Sequence, residues 1–235
     1  KYVFRNISAY SSNDNSFINF INKNIWNNNL IFFINYYRKC MFIIKIFEMV
    51  VKRTHLAGII PLSGIENDFC LSTPPELTPV NPGFTAIQKS VYECALAGCN
   101  TIWIVANENT APVVRKIVGE WIYDPVYYER MKFGENSDSR REIPIYYAPI
   151  HPKDIGRRDS YGWAILNGVY SSWRVANQIS KWVVPQKYFV SFPLSAYDIQ
   201  TIRKNRKLIS HATRNFSLCH QGKTVKDDVA LPFTM

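Results

Sequence analysis

The residues best suited to chemistry lie in one charged loop, His151–Ser160. Lys153 offers a compact positive charge, and Arg157 and Arg158 offer forked N–H donors, so the three suit the oxygens of a phosphate group. Gly162 follows in the first turn of a predicted helix, whose N-terminus adds partial positive charge. The loop therefore predicts an anion site in which these cations neutralise phosphate charge.

Two acidic residues in the same loop leave its role open. Asp154 and Asp159 can hold the cations in ion pairs, or they can coordinate a magnesium ion. The alternative is an exposed loop stabilised by its own salt bridges, because mixed charge is typical of protein surfaces.

Two further loops have residues that suit a ligand. After the first predicted strand, Leu62, Ser63 and Gly64 would let backbone N–H groups approach an anion closely, and glycine makes that approach sterically possible. The alternative is a plain connection. The proline-rich segment Leu77–Phe84 would hold a base or sugar, or it would simply set the entry angle of the next helix.

Asp198 is the candidate metal ligand, because it follows the fourth predicted strand. A carboxylate at this place can hold a divalent cation. Asp198 also stands just before a predicted helix, where an aspartate commonly caps the first turn.

Several standard sites are excluded. The chain contains neither the G-x-x-x-x-G-K-[ST] nor the G-x-G-x-x-G phosphate motif, and it lacks the G-x-S-x-G elbow of hydrolases. The four histidines have no metal-ligand spacing, and the five cysteines include no C-x-x-C pair. This pattern argues against zinc and against a disulfide framework, and it indicates a reducing, cytoplasmic setting.

Strands and helices alternate along the chain, which predicts the α/β class with a three-layer α/β/α sandwich and a mainly parallel sheet. Helical periodicity with a capping box at Thr85 and Gln88 and a terminating Gly98 marks the first helix. A hairpin around Gln221 and Gly222 is expected near the end. The other predicted strands are His55–Leu62, Thr101–Ala106, Ile143–Ile150 and Tyr188–Phe192, and the other predicted helices are Ala111–Ile122, Tyr161–Ser180 and Ala196–Ser210.

Three short segments in this order resemble the nucleotide-sugar pyrophosphorylases, nucleotidyltransferases with a glycosyltransferase A-type fold. Pro75–Val80 follows the family's P-K-P-L-x-P-V segment, Ala95–Gly98 its A-L-x-x-A-G helix, and Ile102–Val105 its I-x-I-V strand. The resemblance covers about Thr54 to Asn109 and implies a nucleotide-diphospho-sugar transferase-like fold. The block from Met49 also resembles uncharacterised proteins of marine tailed phages.

The resemblance implies transfer of a nucleotidyl group from a nucleoside triphosphate to a sugar phosphate, with magnesium. Lys153 and Arg158 would then be catalytic; Leu62, Ser63, Gly64, Arg157 and Gly162 would bind the nucleotide; Asp198 would bind the metal. The chain departs from the family in its first loop, which lacks G-G-x-G-T-R, and at the family's lysine, whose place is taken by Glu76. A non-catalytic nucleotide- or sugar-binding descendant and a phage accessory protein that binds nucleic acid are the alternatives.

Composition changes sharply near residue 48. Residues 1–48 are dominated by Asn, Ile, Phe, Lys and Tyr and contain neither Gly nor Pro. We expect this low-complexity leader to be disordered or to lie outside the native protein, which would then begin at Met49 in preference to Met41; the alternative is a real interaction arm or membrane anchor. Residues 49–235 are expected to form the nucleotidyltransferase-like domain, cut short at its C-terminus. The net charge of +10 permits nucleotides, nucleic acid or phosphorylated sugars as partners. The run Arg203–Lys207 is expected to be a solvated helix face.

Overall fold

The computed structural model describes residues 55–62, 73–130, 141–150, 152–154, 156–157, 160–211, 213–227 and 229–235. These residues belong to one compact unit, Thr54–Met235. The leader that we expect at 1–48 lies outside the described residues. No described helix has the length and apolar character that a membrane crossing requires.

Eight strands and six α-helices make up the described fold. In chain order they are β1 (Leu56–Pro61), β2 (Pro79–Asn81), β3 (Phe84–Thr85), α1 (Ala86–Ala97), β4 (Thr101–Ala106), α2 (Ala111–Val118), β5 (Trp121–Tyr123), α3 (Pro125–Arg130), β6 (Glu142–Pro149), α4 (Tyr161–Ile179), β7 (Lys187–Val190), α5 (Ile199–Lys204), α6 (Arg206–His211) and β8 (Phe233–Thr234).

Six strands form one sheet in the order β5-β6-β4-β1-β7-β8, and β2 and β3 form a separate antiparallel ribbon. The central four strands are parallel, since β1 pairs in parallel with both β4 and β7, and β4 pairs in parallel with β6. The edge strands β5 and β8 are antiparallel to their neighbours. The predicted mainly parallel sheet is confirmed.

Alternate residues of β1 serve two separate apolar layers. Leu56 and Ile60 pack with α1, α5 and α6, whereas Ala57 and Ile59 pack with α4 on the other face. Strands with both faces covered bury every side chain, which explains their nearly continuous apolar sequence. The three-layer α/β/α sandwich is therefore confirmed.

Two glycines let the helices approach the sheet closely. A Cβ atom added at Gly58 of β1 would stand 2.9 Å from Cys94 Sγ, and one at Gly168 of α4 would stand 2.8 Å from Val105 Cγ2. Cys94 and Cys99 are buried free thiols without a disulfide bond, as expected for small apolar residues beside the helix. Backbone packing at these points leaves no room for a side chain.

Several element boundaries differ from the prediction. The predicted helix Ala111–Ile122 ends at Val118, because Gly119 adopts φ 86°, and Trp121–Tyr123 pairs with β6 instead. The predicted helix Ala196–Ser210 begins at Ile199 and is interrupted at Asn205. The predicted terminal hairpin is reduced to single bridges, although Gln221 and Gly222 do form its turn with positive φ.

Candidate functional site

The strand order creates a crevice between β1 and β7. The chain leaves β1 through α1 to reach β4 on one side, continues to β6, and then returns through α4 to β7 on the other side of β1. Helices α1 and α4 lie on opposite faces of the sheet. In open α/β sheets a ligand binds beyond the carboxyl ends of the strands at such a reversal point. The carboxyl ends of β1 and β7 are therefore the expected ligand edge.

The start of α4 lies over the end of β7. The ring of Tyr161, the first residue of α4, meets the ring of Phe192 edge-on, with centroids 5.3 Å apart. Burial raises the pKa of the Tyr161 phenol, and the neighbouring Glu76 carboxylate raises it further. This contact places the first turn of α4 at the carboxyl end of β7.

Glu76 is a buried carboxyl group at this edge. It lies in the 3-10 helix Pro75–Leu77 and is 3% exposed. Burial raises its pKa, and a hydrogen bond from its own backbone N–H opposes that shift. The position where the resemblance expects a lysine therefore holds a carboxyl group that favours its neutral form more than a free glutamate does.

A buried ion pair within α1 is hydrogen-bonded to the loop after β7. Lys89 Nζ lies 2.8 Å from Glu93 Oε1, one helical turn further along α1. The same ammonium donates to the backbone oxygen of Ser195 at 2.5 Å, and Ser191 Oγ donates to Glu93 Oε2 at 2.7 Å. Because Glu93 is completely buried, these contacts compensate for the loss of its hydration.

Tyr197 completes this buried cluster. Lys89 Nζ lies 4.9 Å from the centre of the Tyr197 ring, within reach of a cation–π interaction. The Tyr197 hydroxyl is buried, and burial together with the negative charge of Glu93 raises its pKa far above the usual range. The phenol therefore stays protonated and is available as a hydrogen-bond donor.

Above this cluster lies a cavity of about 480 Å³. One wall comes from the ribbon of β2 and β3, and the other from the loop that follows β7. The cavity is mostly apolar, with a few polar groups, which is typical of small-molecule sites. It is lined by Thr78, Val80, Asn81, Phe84, Ala86, Lys89, Pro193, Leu194, Ser195, Ala196, Tyr197 and Ile199.

Two of the candidate cations, Lys153 and Arg157, lie in the described part of the charged loop before α4. Lys153 lies in the 3-10 helix Pro152–Asp154, and Arg157 donates its backbone N–H to the oxygen of Asp154 at 3.2 Å. Both side chains are exposed. Ser160 caps α4 by accepting a hydrogen bond from the backbone N–H of Trp163 at 3.3 Å.

Gly162 lies in the first turn of α4 with open space beside it. A Cβ atom there would meet no other atom within 4 Å. A ligand can therefore approach the backbone at this turn, as the sequence predicts for a nucleotide. The predicted nucleotide contacts at Arg157 and Gly162 remain predictions.

The other predicted residues are placed as follows. Leu62 is buried, and its backbone N–H donates to the oxygen of Val105 at 2.9 Å, so this amide is already used within the sheet. Ser63, Gly64 and Arg158 lie outside the described residues. Their roles, like that of Leu62, stay predictions.

Asp198 serves as a helix cap. It is exposed, and its Oδ1 accepts a hydrogen bond from the backbone N–H of Gln200 at 3.0 Å at the start of α5. The part of the chain that the structure describes contains no group of three metal-ligating side chains. One carboxylate that is already engaged in capping does not make a metal site, so the ligand role of Asp198 is carried forward only as a prediction.

Sequence reasoning missed Glu76 as a buried group and missed the Lys89–Glu93 pair entirely. The i, i+4 spacing of Lys89 and Glu93 was a usable signal, because it places both side chains on one helix face. That this face is the buried one becomes visible only when α1 is packed against β7 and the loop after it.

No family model matches the chain, and no curated protein matches it. Among solved structures it is similar to Rv0371c from Mycobacterium tuberculosis H37Rv, with 13% identity over 77% of this chain and 71% of that chain and a TM-score of 0.42. It is also similar to the manganese complex of that protein, with 11% identity, the same two coverages and a TM-score of 0.40. A third similar structure is UDP-glucose pyrophosphorylase complexed with UDP-glucose, with 17% identity, a TM-score of 0.39, and coverage of 66% of this chain but only 53% of that chain.

Proposed function

We propose that the protein is a nucleotidyltransferase that transfers a nucleotidyl group from a nucleoside triphosphate to a sugar phosphate. The proposal is supported by the family resemblance of Pro75–Val80, Ala95–Gly98 and Ile102–Val105. It is carried by one structural observation: the ring of Tyr161, the first residue of α4, contacts Phe192, just beyond the carboxyl end of β7. The crevice between β1 and β7 is where a fold of this strand order takes a nucleotide.

In this reaction an oxygen of the sugar phosphate attacks the α-phosphorus of the triphosphate. A new P–O bond forms, the bond between the α-phosphorus and its bridging oxygen breaks, and pyrophosphate leaves with the electron pair. Negative charge builds on the phosphate oxygens, and fixed cations stabilise it. Lys153 and Arg158 are proposed for that role, with Arg157 holding the triphosphate and the first turn of α4 at Gly162 lying against it.

Magnesium bound with the triphosphate would neutralise part of its charge. Asp198 is the proposed protein contact to that ion, through the carboxylate oxygen that does not cap α5. The apolar cavity beside Tyr197 is proposed to receive the base or the sugar. Ser63 and Gly64 are proposed to add backbone contacts to the phosphates. A link to phage proteins stays a prediction of the sequence.

Thermal unfolding tests binding first. Nucleoside triphosphates are screened with and without Mg²⁺, and a raised melting temperature with at least one triphosphate is expected, because a ligand that binds only the folded state stabilises it. Pyrophosphate release in the presence of a panel of sugar phosphates then tests turnover. Turnover that is lost in Lys153→Ala and in Arg158→Ala supports the assignment.

The second candidate function is a binder that has lost the reaction, and a specific observation favours it. Glu76 puts a buried carboxyl group where the resemblance expects a phosphate-binding lysine. Stabilisation by a triphosphate without pyrophosphate release would identify this case. Absence of any triphosphate effect would exclude the transferase and the nucleotide binder, and absence of any effect of the sugar phosphates would also exclude a sugar binder.

A further inference from the structure

A second pocket lies at the amino ends of the parallel strands, opposite the carboxyl ends where the nucleotide crevice is proposed. It has a volume of about 480 Å³ and is lined by α3, α5 and α6 through Val126, Glu129, Arg203, Lys204, Arg206 and Lys207. Arg206 reaches the last turn of α1, just before β4 begins. Asp124, which pairs with Arg206, donates its backbone N–H to the oxygen of Arg141, just before β6. The pocket therefore lies at the amino ends of β4 and β6, away from the proposed nucleotide crevice.

Arg206 is held as a fixed charge in this pocket. Its guanidinium donates to both oxygens of Asp124, at 3.1 and 2.5 Å, and to the backbone oxygens of Ala95 and Leu96 at 2.9 and 3.1 Å. Asp124 is 1% exposed, and Arg141 also approaches it at 3.5 Å. One carboxylate thus serves two arginines, so a positive charge remains in excess at the base of the pocket.

The rim of the pocket is also positive. Arg203 is paired with Glu129 across the pocket. Lys204 and Lys207 are exposed and have no ion-pair partner among the described residues.

The interruption between α5 and α6 at Asn205 is held by two hydrogen bonds, because its backbone N–H and its side-chain amide both donate to Thr201 O, at 3.2 and 2.9 Å. The expectation of a merely solvated face over Arg203–Lys207 is wrong for Arg206, which is largely buried.

We propose that this pocket binds a small phosphorylated ligand through its phosphate dianion. Among the described residues, the two carboxylates at the pocket, Asp124 and Glu129, are each already paired with arginine. Lys204 and Lys207 therefore add positive charge that an anionic ligand in the pocket would match. The volume suits one small molecule, whereas nucleic acid is recognised along an extended basic surface. The pocket and the proposed nucleotide crevice lie at opposite edges of the sheet, so the two sites are separate.

The test is a titration of the full chain, uniformly labelled with ¹⁵N, with inorganic phosphate at constant ionic strength. We expect saturable chemical-shift changes of backbone amides in α5 and α6. The Lys204→Ala/Lys207→Ala variant should bind phosphate at least tenfold more weakly, while Lys153→Ala/Arg157→Ala should leave these shifts unchanged. This result does not depend on whether triphosphate binds at the other edge, so the two proposals can fail separately.

Three outcomes would overturn the proposal. Chloride at the same ionic strength could cause the same shifts as phosphate, which would show a non-specific anion effect. The phosphate shifts could survive in Lys204→Ala/Lys207→Ala. Finally, a single-stranded oligonucleotide could bind α5 and α6 with a steep salt dependence while phosphate does not, which would make the pocket part of a nucleic-acid surface.

Discussion

Tyr161 and Phe192 meet edge-to-face with ring centroids 5.3 Å apart, although they are far apart in the sequence. Tyr161 begins α4, and Phe192 lies just beyond the end of β7. The contact holds the start of α4 against the end of β7, and Phe192 extends the aromatic packing to Phe233 at the edge of the sheet.

Replacing Tyr161 tests this relationship. Tyr161→Ala should lower the free energy of unfolding by about 2 kcal/mol, because it removes a partly buried ring and its aromatic partner contact. Tyr161→Phe keeps the ring and should stay within about 0.5 kcal/mol of the wild type. Urea denaturation measures both. Equal losses in the two variants would show that the hydroxyl, rather than the ring contact, matters.

The Lys89–Glu93 pair should be strongly coupled. Lys89→Met leaves the fully buried Glu93 without its cation and should cost about 3–5 kcal/mol. Adding Glu93→Leu removes the stranded charge, so the double variant should be more stable than the sum of the single losses predicts, by about 1–3 kcal/mol. Denaturation of the four proteins in the cycle measures this coupling.

The exposed pair Arg115–Glu120 is the matched control for that cycle. Its side chains are 61% and 66% exposed, so Arg115→Ala should change stability by less than about 1 kcal/mol. The same cycle with Arg115→Ala and Glu120→Ala gives the coupling energy of the exposed pair. If the buried and the exposed pair gave the same coupling energy, the Lys89–Glu93 pair would not have the structural role assigned to it.

Glu76 predicts a specific dependence of stability on pH. Its pKa in the folded protein is raised above the reference value of 4.5, so the folded state holds this proton more tightly than the unfolded state. The contribution of Glu76 to the free energy of unfolding is favourable at low pH. It is lost as the pH rises from about 4.5 through the folded-state pKa, and above that pKa it no longer changes. Glu76→Gln should lack this decline.

Stability curves of the wild type and of Glu76→Gln between pH 4 and 8 measure the effect. The variant should gain stability relative to the wild type as the pH rises. Glu142→Gln, which removes an exposed carboxylate, controls for the change in net charge. A relative loss of stability in Glu76→Gln with rising pH would contradict the sign of the shift.

Gly168 should not tolerate alanine. The added Cβ would lie 2.8 Å from Val105 Cγ2 and 3.0 Å from Ile59 Cγ2, and β-branched side chains have little freedom to turn away. Gly168→Ala should therefore cost about 1–3 kcal/mol despite the better helix propensity of alanine. Gly162→Ala, in the same helix with open space around it, should instead be neutral or stabilising by up to about 1 kcal/mol. Thermal denaturation compares the two.

The sequence predicts the sheet better than the site. Alternation of apolar runs and helical periodicity reflects burial, which is a local property of each segment, and it located the four parallel strands and α1 with its Thr85–Gln88 capping box. The Thr85 backbone N–H indeed donates to Gln88 Oε1 at 2.9 Å. Gly98 likewise ends α1 with φ 95°. Caps and glycine turns depend on a few adjacent residues, so they are readable from sequence alone.

The contacts that define the two edges are not local. Glu93 meets Ser191 only because α1 packs against the end of β7, and Arg206 meets Asp124 only because α6 packs beside the segment that leads into α3. The predicted length of α2 was wrong for a related reason, since Trp121–Tyr123 forms a strand that pairs with β6. Helical periodicity cannot report a strand partner that arrives later in the chain.

Binding of a nucleoside triphosphate with Mg²⁺, measured by isothermal titration calorimetry, tests the central claim most directly. We predict that Lys153→Ala/Arg157→Ala weakens binding at least tenfold, since charge-assisted hydrogen bonds contribute about 1.5–3 kcal/mol each and about 1.4 kcal/mol corresponds to a factor of ten. Lys204→Ala/Lys207→Ala, with the same change in net charge at the opposite edge, should bind within about twofold of the wild type. Unchanged binding in the first variant, or weakening only in the second, would contradict a nucleotide site at the carboxyl ends of β1 and β7.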